Sequence, residues 1–295
     1  MPVGQREKAK RFRKLHRGPC FIIPNPWDIG SAKVLAGLGF EALATSSAAA
    51  AAAVGKSDHG LTRNEALAHS RMIVDATDLP VSADLENGFG HAPAAVAETV
   101  RRAADAGLVG CTIEDATGEA KRPLYDFDLA VERVAAGAAA ARQLEFPFFF
   151  TARTHNLLFP GGQLDETVRR LQAFEKAGAD VLFAPGLPEL AAVQMICGSL
   201  RKPVNFMVGI PQKSFSVGEL AAAGVRRISL ATSLYRAAMT GFVHAAREVK
   251  DHGTFAFLDR GLESTAEILG LMRKETAEGG LPAPSERVTR LRRQS

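Results

Sequence analysis

Short apolar or β-branched runs alternate along this chain with longer Ala/Leu/Glu/Arg stretches of helical period, the signature of repeated βα units. The runs predict strands at 20–24 (CFIIP), 41–45 (EALAT), 80–85 (PVSADL), 109–113 (VGCTI), 147–152 (PFFFTA), 180–184 (DVLFA), 203–207 (PVNFM) and 226–230 (RRISL). Helical stretches are predicted at 29–38, 62–77, 93–106, 126–144, 163–177, 188–199, 216–223 and 233–249. Three of the joints repeat one design: "DAGLVG", "KAGADV" and "AAGVRR" set Gly107, Gly178 and Gly224 between a helix and the next strand. A left-handed cap costs least at glycine.

Eight parallel strands with right-handed crossovers close into a barrel whose active site lies at the carboxyl ends of the strands. A doubly wound open sheet is the alternative. It calls for a Gly-rich phosphate loop after the first strand, and "NPWDIGSA" at 25–32 has none. The predicted class is therefore α/β, a (β/α)8 TIM barrel forming one domain over 1–275, with an N-terminal helix and an extra C-terminal helix at 261–273. The apolar positions of that last helix (Leu262, Ile268, Leu269, Leu271, Met272) are expected to pack on a second subunit. Residues 276–295, rich in Gly, Pro and Arg, read as a flexible basic tail.

Composition narrows the function classes. With 46% hydrophobic and 23% charged residues, the chain has enough apolar material for a large core. The Ala-rich stretch 48–53 is far short of a membrane span, and the basic N-terminus leads into Gly18-Pro19 rather than a signal-peptide hydrophobic region, so a cytoplasmic location is expected. Cys20, Cys111 and Cys197 show no paired metal-ligand spacing and read as reduced, buried thiols. The net charge of +4 conceals an asymmetry: residues 1–18 carry +6 and residues 274–295 carry +2, leaving −4 between them. The terminal cations lack interleaved aromatics or a nucleic-acid module, so the N-terminal ones read as the solvated face of an amphipathic helix and no nucleic-acid partner is expected.

Candidate chemistry gathers at the strand ends. Asp28 follows the first strand, Asp58 the second, Asp84 and Glu86 the third, Glu114 and Asp115 the fourth, and all are expected to face one mouth. Side chains two apart on a strand point the same way, so Asp84 and Glu86 share a direction if the chain stays extended between them. Crowded carboxylates at a partly dry rim need relief from raised pKa values, an arginine or a divalent cation. Oxygen-only ligands without clustered His or Cys favour Mg2+, with Mn2+ as the alternative. In "SADLENGFGH" (82–91), Gly88 and Gly90 would let the backbone approach a ligand or take positive φ. Arg153, ending "FFFTAR", is a fork suited to a carboxylate, whether a substrate's or that of Glu114.

Five segments in register, "TSSAAAAAAVGKSDHG" (45–60), "ADLENGFG" (83–90), "GCTIED" (110–115), "TART" (151–154) and "PVNFMVG" (203–209), resemble the isocitrate lyase and phosphoenolpyruvate mutase superfamily over about residues 20–250. The resemblance implies a (β/α)8 barrel, a homodimer or homotetramer with exchanged C-terminal helices, and Mg2+ with a small 2-oxo carboxylate at the mouth. It implies Asp84 as the direct metal ligand, with Glu86, Glu114 and Asp58 reaching the ion directly or through water. Arg153 and the Ser46-Ser47-Ala48 backbone would hold the substrate's oxygens, with Asn205 beside them. Asp58, Asp84, Glu114 and Arg153 are thus the implied catalytic set, acting on a bond next to a pyruvate-like carbonyl and leaving an enolate.

Departures from the family pattern narrow the activity. No cysteine lies between 112 and 196, where isocitrate and methylisocitrate lyases carry a catalytic one in a Lys/Arg-Cys-Gly-His loop. The loop "EDATGEAKRPLYDFD" also lacks the mutase's Asn and Ser, although Lys121 and Arg122 are placed to approach an anion. His155 stands where an acid is expected two positions after the arginine. The leading expectation is an oxaloacetate-decarboxylase-like carbon–carbon lyase. A carbon–phosphorus enzyme and a non-catalytic 2-oxo acid binder are the alternatives.

Overall fold

The computed structural model describes residues 3–259 and 261–273. All eight strands form where the apolar runs predict them: β1 Phe21–Ile23, β2 Leu43–Ala44, β3 Val81–Asp84, β4 Gly110–Glu114, β5 Phe149–Arg153, β6 Val181–Phe183, β7 Val204–Met207 and β8 Arg227–Ser229. Every paired neighbour is parallel, in the order β1-β8-β7-β6-β5-β4-β3-β2. The Ala44 N–H donates to Pro24 O at 3.0 Å and joins the β1 and β2 edges, so the sheet becomes a (β/α)8 barrel.

The crossover helices are α2 Ile29–Gly37, α4 Arg63–Ala76, α5 Pro93–Asp105, α6 Phe127–Arg142, α7 Leu164–Ala177, α8 Leu190–Gly198 and α9 Val217–Ala222, each inside its predicted span. Their starts are capped locally: Thr62 and Ser216 form capping boxes with Glu65 and Glu219. Gly107, Gly178 and Gly224 adopt φ of +85°, +109° and +97°, as the repeated joint predicts. The core lies between barrel and helices, where Val100, Cys111, Phe150, Phe174 and Ile196 are fully buried.

Three elements depart from expectation. An additional helix, α3 Ser47–Ala53, forms from the Ala-rich stretch directly after β2. The N-terminal helix, α1 Gln5–Arg17, is amphipathic but not merely solvated, since it buries Lys8, Ala9, Phe12 and His16 across the barrel's N-terminal end. There Phe12 meets Phe21 and Phe149 edge-on, and the Lys8 ammonium donates to Thr77 O at 2.6 Å and Val74 O at 3.1 Å. The last helix, α11 Thr265–Arg273, meets α2 of its own chain, where Leu271 and Met272 lie against Gly37 and Gly30, while Leu262, Ile268 and Leu269 stay exposed. The helix after β8, α10 Ser233–His252, has no buried residue, and Phe242 is 64% exposed. The tail predicted at 276–295 lies outside the described residues. No helix of the described residues is long and apolar enough to cross a membrane.

Candidate active site at the carboxyl ends of the strands

A cavity of about 190 Å3 opens at the carboxyl ends of the strands, lined among others by Ser46, Ser47, Ala48, Asp58, Asp84, Arg153 and Asn205. Strand register explains the centre of the group. Glu114 pairs with Arg153 at the ends of β4 and β5, while Asp84 pairs with Thr112 two residues earlier on β4. The Arg153 guanidinium consequently stands between two acids, with Nη1 3.4 Å from Asp84 Oδ2 and 3.6 Å from Glu114 Oε2, and its back lies over the Phe183 ring at 4.8 Å. Ser47 links the next acid, its hydroxyl 3.1 Å from Asp58 Oδ1 and 3.3 Å from Asp84 Oδ2. Ser46 itself caps α3, its hydroxyl accepting from Ala49 N.

Glu86 joins by a different route from the one predicted. The strand ends at Asp84, and Glu86 takes a left-handed φ of +50°, so strand alternation does not align the two carboxylates. The turn folds the Glu86 N–H back to Asp84 Oδ1 at 3.3 Å, and the buried Glu86 carboxylate meets His59 Nδ1 at 3.2 Å. Gly88 takes the expected positive φ, +81°, and both glycines make room for neighbouring residues: a Cβ at Gly88 would press on Val96 at 3.3 Å, and one at Gly90 would meet Ala95 Cβ at 2.7 Å.

Two of the acids expected at the mouth are not part of it. Asp28 is exposed and caps α2, accepting from Ser31 N at 2.7 Å in a capping box. Asp115 is buried in a separate network, accepting from Thr154 Oγ1 (2.7 Å), His155 N (2.9 Å) and Arg170 Nη1 (3.1 Å). It ties β4 to β5 and α7. Arg122 lies on an exposed loop, 3.9 Å from Asp126; Lys121 beside it is also exposed.

The electrostatics of the remaining group are uneven. Burial pushes the Asp84 carboxyl upward, with Glu114 and Asp58 adding to the rise and Arg153 opposing it. Burial also raises Glu86, against the pull of His59. For Glu114, burial acts upward too, but His155 and Arg153 outweigh it and hold the carboxyl down at about 2. His59 is lifted to about 9, first by its hydrogen bond to Glu86, and is therefore the cationic partner of that carboxylate at neutral pH.

Three residues that strand-end reasoning missed complete the mouth. His59 and His155 pair with Glu86 and Glu114, the latter through Nε2–Oε2 at 3.0 Å. Arg227, on β8, is fully buried beneath Asn205: its Nε donates to Asn205 Oδ1 at 2.7 Å and its Nη2 to Thr151 Oγ1 at 3.0 Å. That bond fixes the Asn205 amide so that Nδ2 donates to Ser229 Oγ at 3.0 Å. A charged residue within a strand run is itself a sequence signal, and "RRISL" carries two.

Whether these groups fit a metal is a question of donor chemistry. Among the described residues, no three His, Cys, Asp or Glu side chains converge as they stand into a group that would hold an ion. The expected four-acid cluster is instead bridged by Ser47, Arg153 and His59. The donors are nevertheless all carboxyl oxygens, burial pushes Asp84 and Glu86 upward, and Glu114 Oε1 is buried without a hydrogen-bond partner among the described residues. A hard divalent cation suits such a set.

Known proteins of similar sequence and structure agree with this architecture. A Burkholderia cenocepacia protein given a provisional lyase/mutase assignment superposes with a TM-score of 0.88 at 48% identity, covering 91% of this chain and 96% of that one. The oxaloacetate decarboxylase of Bradyrhizobium diazoefficiens is 30% identical over 278 residues, 92% of this chain and 94% of that protein. The 2-methylisocitrate lyase of Escherichia coli is 30% identical over 214 residues, 70% of this chain and 71% of that enzyme. The family model for phosphoenolpyruvate phosphomutase matches residues 12–250, and with most of the barrel inside that match the chain belongs to this family, within the isocitrate lyase and phosphoenolpyruvate mutase superfamily.

Proposed function

We propose that this chain is a divalent-metal-dependent carbon–carbon lyase of small 2-oxo or 2-hydroxy carboxylates, with oxaloacetate decarboxylation as its leading reaction. The observation that carries the reading is the Arg153 guanidinium set between Asp84 and Glu114 in a small cavity at the barrel mouth. At about 190 Å3 the cavity falls below the range of about 300–1,000 Å3 typical of drug-sized sites, which favours a compact acid. Relatives that decarboxylate oxaloacetate and cover nearly the whole chain support the reaction.

In this reading Asp84, with Glu86, Glu114 and Asp58, would hold Mg2+ or Mn2+. When bound, the ion supplies Lewis-acid stabilisation of the negative charge that builds on the substrate's carbonyl oxygen. Arg153 binds the carboxylate next to that carbonyl with its two-pronged fork, backed by Phe183. The backbone at Ser46, Ser47 and Ala48 and the Asn205 amide line the same cavity, where they orient the substrate's oxygens. His155 and Arg153 hold the Glu114 carboxyl down at about 2, and His59 opposes the rise that burial imposes on Glu86.

The thiols support a cysteine-independent reaction: Cys111 is buried on β4 with its thiol pushed upward, and burial lifts Cys197 to about 11. The exposed α10, with no buried residue, supports a homo-oligomer in which copies exchange this helix. The second reading, carbon–phosphorus chemistry, is favoured by the family match and by the likeness to a Burkholderia cenocepacia structure given a provisional phosphonomutase assignment, 37% identical over 83% of this chain. Proton and phosphorus NMR of separate incubations with oxaloacetate, phosphonopyruvate and 2-methylisocitrate under Mg2+ tests the proposal. Pyruvate and CO2 from oxaloacetate alone are expected. Phosphate release from phosphonopyruvate with oxaloacetate untouched would favour the second reading, and saturable binding without turnover would mark a binder.

A further inference from the structure

A larger cavity, about 760 Å3, opens at the other end of the barrel, between the second half of α1 and the segments that lead into β5, β7 and β8. Six cations line it: Arg13 and Arg17 on α1, Arg142 at the end of α6, Arg201 and Lys202 ahead of β7, and Arg226 ahead of β8. Its one lining carboxylate, Asp180, already accepts from Phe150 N at 3.1 Å. Several exposed arginines elsewhere find acids, as in Arg6–Glu145, Arg71–Asp75, Arg101–Glu98 and Arg169–Glu166. Among the described residues, none of the six cations in this cavity forms an ion pair.

Two of the six are fixed in place without being neutralised. Arg142 donates to Ala138 O at 3.0 Å and to Gly178 O at 2.7 Å, and Arg226 donates to Gly18 O. Neutral carbonyls set the position of these charges, and the single lining carboxylate, Asp180, offsets only part of the charge, through Arg142 and Lys202. The positive field is felt by His16 in the cavity wall, whose pKa falls to about 3 through burial, Arg227 and Arg226. Concave walls focus such a field and raise the local concentration of anions. Phe146 and Phe148 add an apolar flank.

We propose that this cavity is a second site, separate from the catalytic mouth, that binds a small polyphosphate-bearing anion such as a nucleotide. Its volume is of the small-molecule class, which favours a compact ligand over a nucleic-acid duplex. Several guanidinium forks around one hollow match a chain of phosphates carrying several charges in a short length. The basic N-terminal run, unused by the chemistry at the mouth, contributes two of the six cations.

Calorimetric titration of the full chain with ATP and with inorganic triphosphate, both in EDTA, tests this. Saturable binding of one anion per chain, weakened by salt, is expected, and tighter binding of ATP would add a contact with the nucleoside. The side chains of Arg13 and Arg201 make no hydrogen bond among the described residues, so Arg13→Ala/Arg201→Ala should fold, keep oxaloacetate turnover and lose about tenfold or more in affinity. Arg6→Ala/Arg101→Ala, which removes cations outside the cavity, should bind as before. No saturable binding of either anion, or equal weakening in both double variants, would overturn the site.

Discussion

Replacing Asp84 by asparagine should stabilise the metal-free protein while removing its activity. The carboxylate ends β3 in a largely buried position, with Arg153 Nη1 at 3.4 Å and the Ser47 hydroxyl at 3.3 Å as partners. Burial and the nearby Glu114 and Asp58 raise its pKa in spite of Arg153. A carboxyl raised above its unfolded value binds its proton more tightly in the folded chain, so its ionisation subtracts stability at neutral pH. Asparagine keeps the shape, removes that penalty, and leaves Arg153 its Glu114 partner at 3.6 Å. The gain should be of the size seen for relief of strained active-site groups, about 0.5–2 kcal/mol. For a chain of this length it corresponds to a Tm rise of roughly 1–3 °C. Thermal denaturation in EDTA reads the stability, and pyruvate production from oxaloacetate under Mg2+ reads the function. A lower Tm in the asparagine variant would show that the Asp84–Arg153 pair is structural. Undiminished turnover would remove Asp84 from the chemistry.

Three further outcomes follow from the same geometry. Arg153→Lys exchanges a two-pronged fork for a point charge and should raise KM for oxaloacetate by about tenfold or more with a smaller change in kcat; an unchanged KM in steady-state assays would refute the clamp. Arg227→Met should leave Tm nearly unchanged, since the guanidinium is buried among neutral partners, yet lower kcat/KM by about tenfold because the Asn205 amide loses its fixed orientation. His16 has a folded-state pKa of about 3, so between its unfolded value near 6.5 and that point only the unfolded chain takes the proton. Its contribution is complete above that window and is lost as pH falls through it, at about 1.4 kcal/mol per pH unit. Urea titrations should therefore show a flatter acid limb for His16→Phe than for the parent; identical limbs would contradict the linkage.

The barrel was legible because its signals are local and repeated. Each strand is a short apolar run, and the helix-to-strand joints reuse one glycine, so counting units fixed the topology. The site was legible only in part. Asp84, Glu114 and Arg153 lie together because strand ends converge on one mouth, whereas Asp58 reaches it from the turn beyond α3. Asp28 was misplaced there because the same position is also the natural cap of α2, and sequence spacing does not distinguish the two uses. The turn at Glu86 broke the alternation that the prediction relied on, since the strand has already ended at Asp84 and Glu86 takes a left-handed φ. His59, His155 and Arg227 act through partners 22 to 76 positions away, and such pairings belong to the tertiary fold. The burial of α1 was missed because its charge pattern dominated the reading and hid the stripe formed by Ala9, Phe12 and His16.

The central claim is that the rim carboxylates gather a divalent cation in front of Arg153, and Mn2+ binding followed by electron paramagnetic resonance tests it most directly. The account predicts one bound Mn2+ per chain, displaced by Mg2+ and lost in both Asp84→Asn and Glu114→Gln. No bound Mn2+ in the parent protein, or full binding in both variants, would contradict it.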